Sequence, residues 1–527
     1  MKRVLVSDSM SSEGVEIFKK TPGIEVDVIT KHTPDELKEL ISNYDGLVVR
    51  SSSKITQEII EAAEKLTVIG RAGAGVDNID VPAASKKGIV VMNTPGGNTV
   101  TTGEHAIAMM LSLARKIPQA TASMKSGKWE KSRFMGNEYC NKTLGIIGIG
   151  RIGTVVADRA KGLKMNVIAY DPFISPEVAE KMGITLATLD QIYGSADFIS
   201  VHTPMNKDTK GMINAAAFAK MKKGVFIINC ARGGIVSEKD LYDALVSGKV
   251  AGAALDVFEE EPTKNLDLIA LDNVICTPHL GASTDEAQTS VAVAIAEQMV
   301  DFLLKGEIRY AVNFPSVSAD LMTAIAPYLS LAEKLGQFHA QIISGGIQEV
   351  NIEYSGEILK FDVAPVTIAL LKGILTPILN ENVNYINAPV IAKERGINVK
   401  ESKSNASGDY RSMIALTMKT SDGETVTAGA LFGRRDPRIV RINQFTVDVV
   451  PEGHLLMLYN HDKPGVIGNI GTTIGAADIN IARMHWSRLQ AEKKAMVVLS
   501  TDSPLDADLV KKLKSTPNVI SVQELDM

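Results

Sequence analysis

Cysteine is nearly missing from the chain: Cys140, Cys230 and Cys276 are the only three, with no CxxC pair and no Cys/His spacing. That excludes a thiolate zinc site and a disulfide framework, and it suits a reducing cytosol. Excess basic charge is missing as well. With 56 Lys and Arg against 61 Asp and Glu the formal net charge is -5, so the basic stripe of a nucleic-acid-binding protein is not expected. No run of 18 or more apolar residues occurs, which rules out a membrane-spanning helix. The opening MKRVLVSDS passes straight into an apolar, strand-like segment and lacks a signal-peptide layout. Low-complexity segments and short-period repeats are absent too. The expectation is a cytoplasmic protein with neither a nucleic-acid nor a membrane partner.

What is present is an ordinary globular composition, 45% hydrophobic and 22% charged over 527 residues, too long for one core and enough for three or four domains. In the first part, β-branched runs at Arg3–Val6, Gly46–Val49, Thr67–Gly70 and Gly88–Met92 alternate with amphipathic stretches such as Pro34–Ser42 and Gln57–Lys65. Such alternation predicts a parallel sheet covered by helices. A long helix is expected from the Asn98 or Thr99 cap to just before Pro118. A second series follows, with six strands at Leu144–Gly148, Asn166–Tyr170, Phe198–His202, Val225–Asn229, Gly252–Asp256 and Asn273–Thr277. Six strands with intervening helices make a doubly wound sheet. A helix at Asp285–Leu304 and the segment Arg309–Asn313 then return to the first lobe.

From Ser316 the character changes. A helix at Ala324–Ile343, strands at Gln348–Ser355, Arg411–Met418 and Arg438–Val449, and an arginine-rich turn at Gly433–Pro437 indicate an α+β unit. Residues 452–527 read strand, helix, strand, strand, helix, strand, the order of a ferredoxin-like βαββαβ module. The expected fold class is α/β: two doubly wound, Rossmann-like parallel-sheet lobes followed by these two units. The divisions are 1–98 with 284–315, 99–283, 316–450 and 452–527.

The strongest local signal is G-x-G-x-x-G in Gly148-Ile149-Gly150-Arg151-Ile152-Gly153, placed between an apolar strand and a helix. Its glycines suit a tight turn, close approach of a pyrophosphate and close helix packing, and the helix N-terminus faces the phosphate charge. Asp171 ends the next strand, where a carboxylate accepts from a ribose diol and repels a 2′-phosphate. The cofactor indicated is NAD. Hydride transfer from a hydroxyl carbon also needs a base and a cation for a substrate carboxylate. Three residues just after strands of the second sheet fit: Arg232, Glu261 and His279. Taken singly, each reads as an ordinary loop residue.

At these positions the chain resembles the D-isomer-specific 2-hydroxyacid dehydrogenases, through G-I-G-R-I-G, N-C-A-R-G-G, D-V-F-x-x-E-P and T-P-H-L-G-A. The resemblance covers essentially the whole chain and is closest to the long form acting on 3-phospho-D-glycerate, in the first step of serine synthesis. It implies that Arg232 binds the carboxylate, His279 is the acid/base and Glu261 is its partner. It also implies cofactor contacts by Gly148, Gly150, Arg151, Ile152, Gly153, Asp171, Thr203, Cys230, Ala231, Arg232, Asp256, His279, Gly281 and Ala282. On the substrate side it implies Arg50, Ser51, Gly73, Gly97 and Asn98, with the Arg71–Asp77 segment as cleft wall. Ala74 stands where relatives often carry Thr. No metal is implied.

The last two regions resemble an intervening allosteric domain and an ACT domain. In the latter, Asp462 and Asn480 match positions that bind an effector, here L-serine, between subunits of a homo-oligomer, a dimer or tetramer. A module that only dimerises is the alternative. The arginines Arg434, Arg435, Arg438 and Arg441 suit either an anion site or a solvated turn. Two rivals to the main reading are a dehydrogenase of another 2-hydroxy acid (glycerate, glyoxylate, lactate or 2-hydroxyglutarate) and a non-catalytic nucleotide sensor. The tail beyond residue 315 weighs against the first, and the Arg232/Glu261/His279 set against the second.

Overall fold

The computed structural model describes residues 1–315, 319–379, 382–405 and 408–527; the division expected at Ser316 lies outside them. The first sheet holds β1 (Lys2–Val6), β2 (Ile24–Val28), β3 (Gly46–Val49), β4 (Val68–Arg71) and β5 (Val90–Met92) in the order β2-β1-β3-β4-β5. All its pairs are parallel. Alternation sets its two faces. Val4, Val6, Val48, Val68 and Val90 enter one core, while Leu5, Leu47, Val49, Ile69 and Val91 enter the other. Strand β2 was not among the expected strands. Its Glu25 and Asp27 place it on a solvated edge, where acidic residues mask the pattern. The run expected from Gly88 starts at Val90, because Gly88 is the left-handed cap of the Val81–Lys87 helix.

The second sheet holds β6 (Thr143–Ile147), β7 (Asn166–Tyr170), β8 (Thr185–Leu186), β9 (Phe198–Val201), β10 (Val225–Asn229), β11 (Val250–Leu255) and β12 (Val274–Cys276). Its order is β12-β11-β10-β9-β6-β7-β8, so the six expected strands become seven. The addition, β8, has two residues, too few to show a period. From β6 the chain winds one way to β7 and, after crossing back, the other way from β9. The carboxyl ends therefore open a crevice at that switch point.

The helix Thr99–Ala114 begins as expected, although Asn98 makes no side-chain capping bond. It stops at Ala114, and Pro118 sits in the first turn of the next helix, Ile117–Lys125, where its missing N–H costs nothing. The helix Asp285–Lys305 buries Ile295 and Met299 against the first sheet. Beyond it, Val312 N donates to Val91 O at 2.8 Å, so the chain does return to the first lobe.

A third sheet, order β14-β13-β15-β16-β17-β18, comprises β13 (Ile347–Gly356), β14 (Asn398–Ser404), β15 (Ser412–Thr420), β16 (Gly423–Phe432), β17 (Asp436–Ile442) and β18 (Phe445–Val449). The single strand expected over Arg438–Val449 is two strands, because Asn443 turns the chain at φ 50°. The last sheet, β20-β21-β19-β22, is built from β19 (His454–His461), β20 (Ile481–Leu489), β21 (Lys494–Thr501) and β22 (Val519–Asp526). With the helices Val466–Gly475 and Ala507–Lys514 it is the expected βαββαβ module. One face covers its own helices, while Leu455, Met457, Met496 and Val498 join the core of the third sheet. No described helix is long and apolar enough to cross a membrane.

Candidate active site

At the end of β6 the chain turns at Gly148, φ 96°, where a Cβ would lie 2.7 Å from His202 O. Only glycine fits such a turn. The helix Arg151–Gly162 starts at once, and a Cβ on Gly153 would lie 2.1 Å from Gly148 O. Its cap, Gly150, has no side-chain capping bond and open space where a Cβ would be. The first N–H groups of that helix thus face room for an anion. Asp171 accepts from Ile149 N at 2.8 Å and Phe173 N at 2.9 Å, which fixes its carboxylate beside the glycine turn. Thr203 Oγ1 is buried without a partner. A glycine cradle, a bare helix end, an ordered carboxylate and an orphaned hydroxyl together fit a dinucleotide.

Between the two lobes lies a cavity of about 980 Å³. From the expected set, Arg50, Ser51, Gly73 and Asn98 line one wall. Ile152, Thr203, Cys230, Ala231, Arg232, Asp256, Glu261, His279, Gly281 and Ala282 line the other. Gly148, Gly150, Arg151, Gly153 and Asp171 belong to the turn beyond this lining. Gly97 is also outside it, packed where a Cβ would meet Val291 Cγ1 at 2.5 Å.

The loop after β12 is gripped by one carboxylate. Asp256 accepts from Thr277 Oγ1 at 2.6 Å, Leu280 N at 2.7 Å and Gly281 N at 2.8 Å. Burial alone would raise its pKa, but the bonds from His105, Thr277 and Leu280 outweigh it and hold the group low. His279 itself takes φ 54°, a left-handed conformation uncommon outside glycine. Its Nδ1 lies 2.7 Å from Glu261 Oε2, and Glu261 Oε1 accepts from Phe258 N at 3.1 Å. The Glu261 bond raises the imidazole pKa against the opposing effect of burial. Burial pushes Glu261 upward, but the bond from His279 prevails and lowers it.

Sequence reasoning gave Arg71 no role beyond its segment's place in the cleft wall, and gave His202 none. Arg71 lines the cavity beside Arg50 and Arg232, and burial pushes it down to about 10, with Arg232 acting in the same direction. His202 also lines it, and burial pushes its ring down to about 4, so it is neutral at physiological pH. Their only local signal was position at the end of an apolar strand, Arg71 closing β4 and His202 following β9. The thiols of Cys230 and Cys276 also line the cavity, and burial raises both, which disfavours thiolate chemistry.

In the C-terminal module, Asp462 Oδ2 accepts from Arg488 Nε at 2.8 Å and Nη2 at 2.6 Å. Asn480 Nδ2 donates to Asp502 Oδ2 at 3.0 Å. The arginine cluster divides: Arg434, Arg435 and Arg441 are exposed. Arg438 instead joins Arg483 and His485 around a second cavity, of about 500 Å³.

Residues 107–281 match the D-isomer specific 2-hydroxyacid dehydrogenase NAD binding domain. Residues 324–443 match the D-3-phosphoglycerate dehydrogenase intervening domain. The chain is 44% identical over 529 residues to a D-3-phosphoglycerate dehydrogenase of Archaeoglobus fulgidus, covering 100% of both chains. With a Synechocystis D-3-phosphoglycerate dehydrogenase the identity is 44% over 520 residues, covering 98% of this chain and 94% of that one. Among solved structures, a D-lactate dehydrogenase from Aquifex aeolicus complexed with NAD and lactic acid is 30% identical at a TM-score of 0.53. That match covers 60% of this chain and 100% of the other.

Proposed function

The chain belongs to the D-isomer specific 2-hydroxyacid dehydrogenases, in the branch of the D-3-phosphoglycerate dehydrogenases, and from that premise we propose that it oxidises 3-phospho-D-glycerate to 3-phosphohydroxypyruvate with NAD. The product feeds L-serine synthesis. One observation carries the reading: the His279–Glu261 pair shares its cavity with three guanidinium groups, Arg50, Arg71 and Arg232. A 2-hydroxy acid with one anionic end needs one such group. A substrate with a carboxylate at one end and a phosphate at the other uses all three.

Arg232 binds the carboxylate, with Gly73 and Asn98 forming the wall nearby. Arg50, Ser51 and Arg71 meet the phosphate. His279 uses Nε2, the ring nitrogen that Glu261 leaves open, to take the proton of the C2 hydroxyl. Glu261 then stabilises the imidazolium. NAD, when bound, supplies the acceptor for the hydride leaving C2. The glycine turn, Arg151, Ile152, Asp171 and Thr203 would hold its nucleotide portion, and Cys230, Ala231, Asp256, Gly281 and Ala282 its reactive end.

The test is NADH absorbance on mixing the enzyme with NAD and a panel of 2-hydroxy acids. Turnover is expected with 3-phospho-D-glycerate and much less with D-lactate or D-glycerate. Equal turnover of the unphosphorylated acids would remove the role given to Arg50 and Arg71. NADP in place of NAD is expected to lower efficiency well over tenfold, since like charges ~4 Å apart at an effective dielectric of ~20 cost roughly 4 kcal/mol. Equal efficiency would remove the reading of Asp171.

The C-terminal module binds L-serine across an interface of a homo-oligomer and lowers activity. Supporting this, the helix Val466–Gly475 has no side-chain cap, leaving N–H groups for a carboxylate. Asp462 keeps Oδ1 outside its Arg488 contact, and Asn480 keeps its amide oxygen outside its bond to Asp502. Trp129 and Met135, 81% and 79% exposed, offer apolar surface for a further subunit contact. Calorimetry with L-serine is expected to show binding that Asp462→Ala removes, on a species larger than a monomer by light scattering. No heat and no inhibition at millimolar serine would reject the regulatory proposal and leave the catalytic one standing.

A further inference from the structure

The carboxylate-binding arginine is held by the opposite lobe. Arg232 leaves the turn after β10, in the lobe that carries the glycine turn. Its Nε donates to Asp77 Oδ2 at 3.1 Å, and Asp77 stands on the loop after β4 in the other lobe. The same guanidinium donates from Nη1 to Ala231 O at 2.7 Å. Its Nη2 lies over Gly75, where a Cβ would approach to 2.3 Å. The Nε, Nη1 and Gly75 sides of the group are therefore defined, and Arg232 so held lines the cavity.

The loop bearing Asp77 is itself fixed. Thr94 N donates to Gly73 O at 3.0 Å and Asn93 Nδ2 to Ala74 O at 2.5 Å. The next residue, Asn78, donates from Nδ2 to Arg50 O at 2.7 Å and Ser53 O at 2.6 Å. Adjacent side chains thus hold the two arginines expected at opposite ends of the substrate. Asp77 holds Arg232 through its side chain, and Asn78 holds the backbone of the Arg50 turn. Asp77, like Asp8, is an acidic group whose charge acts on Arg71, and it alone of the two pairs with Arg232 across the cleft.

We propose that Asp77 is a positioning residue for this reaction: it aligns the Arg232 guanidinium across the cleft, so that the group meets the substrate carboxylate at a fixed distance from the Arg50 turn. The proposal rests on the reading of Arg232 given above. Asp77 is 74% exposed and packs in no core, so its replacement leaves the fold intact, which a melting curve checks.

In steady-state kinetics with NAD and 3-phospho-D-glycerate, Asp77→Ala is expected to lower kcat/KM about 10- to 100-fold, the effect of misplacing a binding group by ~1 Å. The KM for NAD should stay within about twofold, because Asp77 is itself outside the residues assigned to the nucleotide and Arg232 itself is retained. Asp77→Asn should recover much of the loss, since the amide oxygen still accepts the Nε–H. In an Arg232→Ala background the Asp77→Ala change should add almost nothing, which is the signature of a residue acting through another. Independent, multiplying effects would overturn the proposal, and so would a lower KM in Asp77→Ala, which would make Asp77 a competitor. An unchanged kcat/KM in Asp77→Ala beside a large loss in Arg232→Ala would overturn it alone. If Arg232→Ala leaves the substrate KM untouched, the carboxylate assignment falls first and takes the proposal with it.

Discussion

His279→Ala is expected to lower kcat by about 10²–10⁴-fold, the usual contribution of a positioned acid–base group, while NAD binds as before. The two effects separate because the loop carrying His279 is held by backbone. Leu280 N and Gly281 N donate to Asp256, and His279 N donates to Asp256 O at 2.9 Å. None of these bonds needs the imidazole. The alanine variant therefore keeps the nucleotide side of the cavity and loses the base.

The pH dependence gives a second reading of the same pair. Oxidation needs neutral imidazole, and the Glu261 bond raises the pKa of His279 above its ordinary 6.5. The rate should climb with pH through that raised value and level off above it. Glu261→Gln removes the carboxylate, so the rise should move to lower pH. The plateau should also fall, because the imidazolium formed during turnover has lost its counter-charge. A pH profile identical to the parent's in Glu261→Gln, or near-normal kcat in His279→Ala, would rule out the pair as the acid–base unit.

Much of the architecture was legible because buried parallel strands have a strong signature. Asn166–Tyr170 and Val225–Asn229 emerge with the expected bounds, each an apolar run closed by turn residues. Elements that depend on partners were not legible. Strand β2 is stabilised by pairing with β1 rather than by its own pattern, and β8 is a two-residue edge. The break at Asn443 needs one left-handed residue between two stretches that both carry β-branched residues, Ile439–Ile442 and Thr446–Val449.

The site divides in the same way. Residues with a motif around them, Arg232 and His279 among them, come together in one cavity. Arg71 and Asp77 sit in a glycine-rich segment that the resemblance assigned to the cleft wall as a whole, without a role for either side chain. Their meaning arises when the lobes face each other and Arg71 meets Arg232 across the cleft. Sequence reports local chemistry well. Juxtaposition across a cleft is a property of the tertiary fold.

The glycine turn gives the other large expected effect. Gly153→Ala should both lower the melting temperature and weaken NAD binding, whereas Gly150→Ala should only weaken NAD binding. At Gly153 the added methyl would come within 2.1 Å of Gly148 O, far inside van der Waals contact. Gly148 has no freedom to retreat. Its N donates to Tyr170 O at 2.8 Å, its φ of 96° is fixed by the turn, and His202 O lies behind it. The next residue, Ile149, is tied to Asp171. The helix must move off β6 instead, at a cost of about 1–3 kcal/mol for overpacking. Its N-terminus then leaves the phosphate position, and a displacement of ~1 Å is enough to cost about 10²-fold.

Gly150 differs because its φ of −70° is ordinary for any residue and its Cβ would meet nothing within 4 Å. A methyl there enters only the space through which the pyrophosphate approaches. Thermal melting and calorimetric titration with NAD on the two variants measure both quantities side by side. If Gly153→Ala melts where the parent does and binds NAD equally well, the helix is not pinned to the strand as drawn. If Gly150→Ala binds NAD like the parent, the nucleotide does not pass over this turn, and the assignment of the glycine motif fails with it.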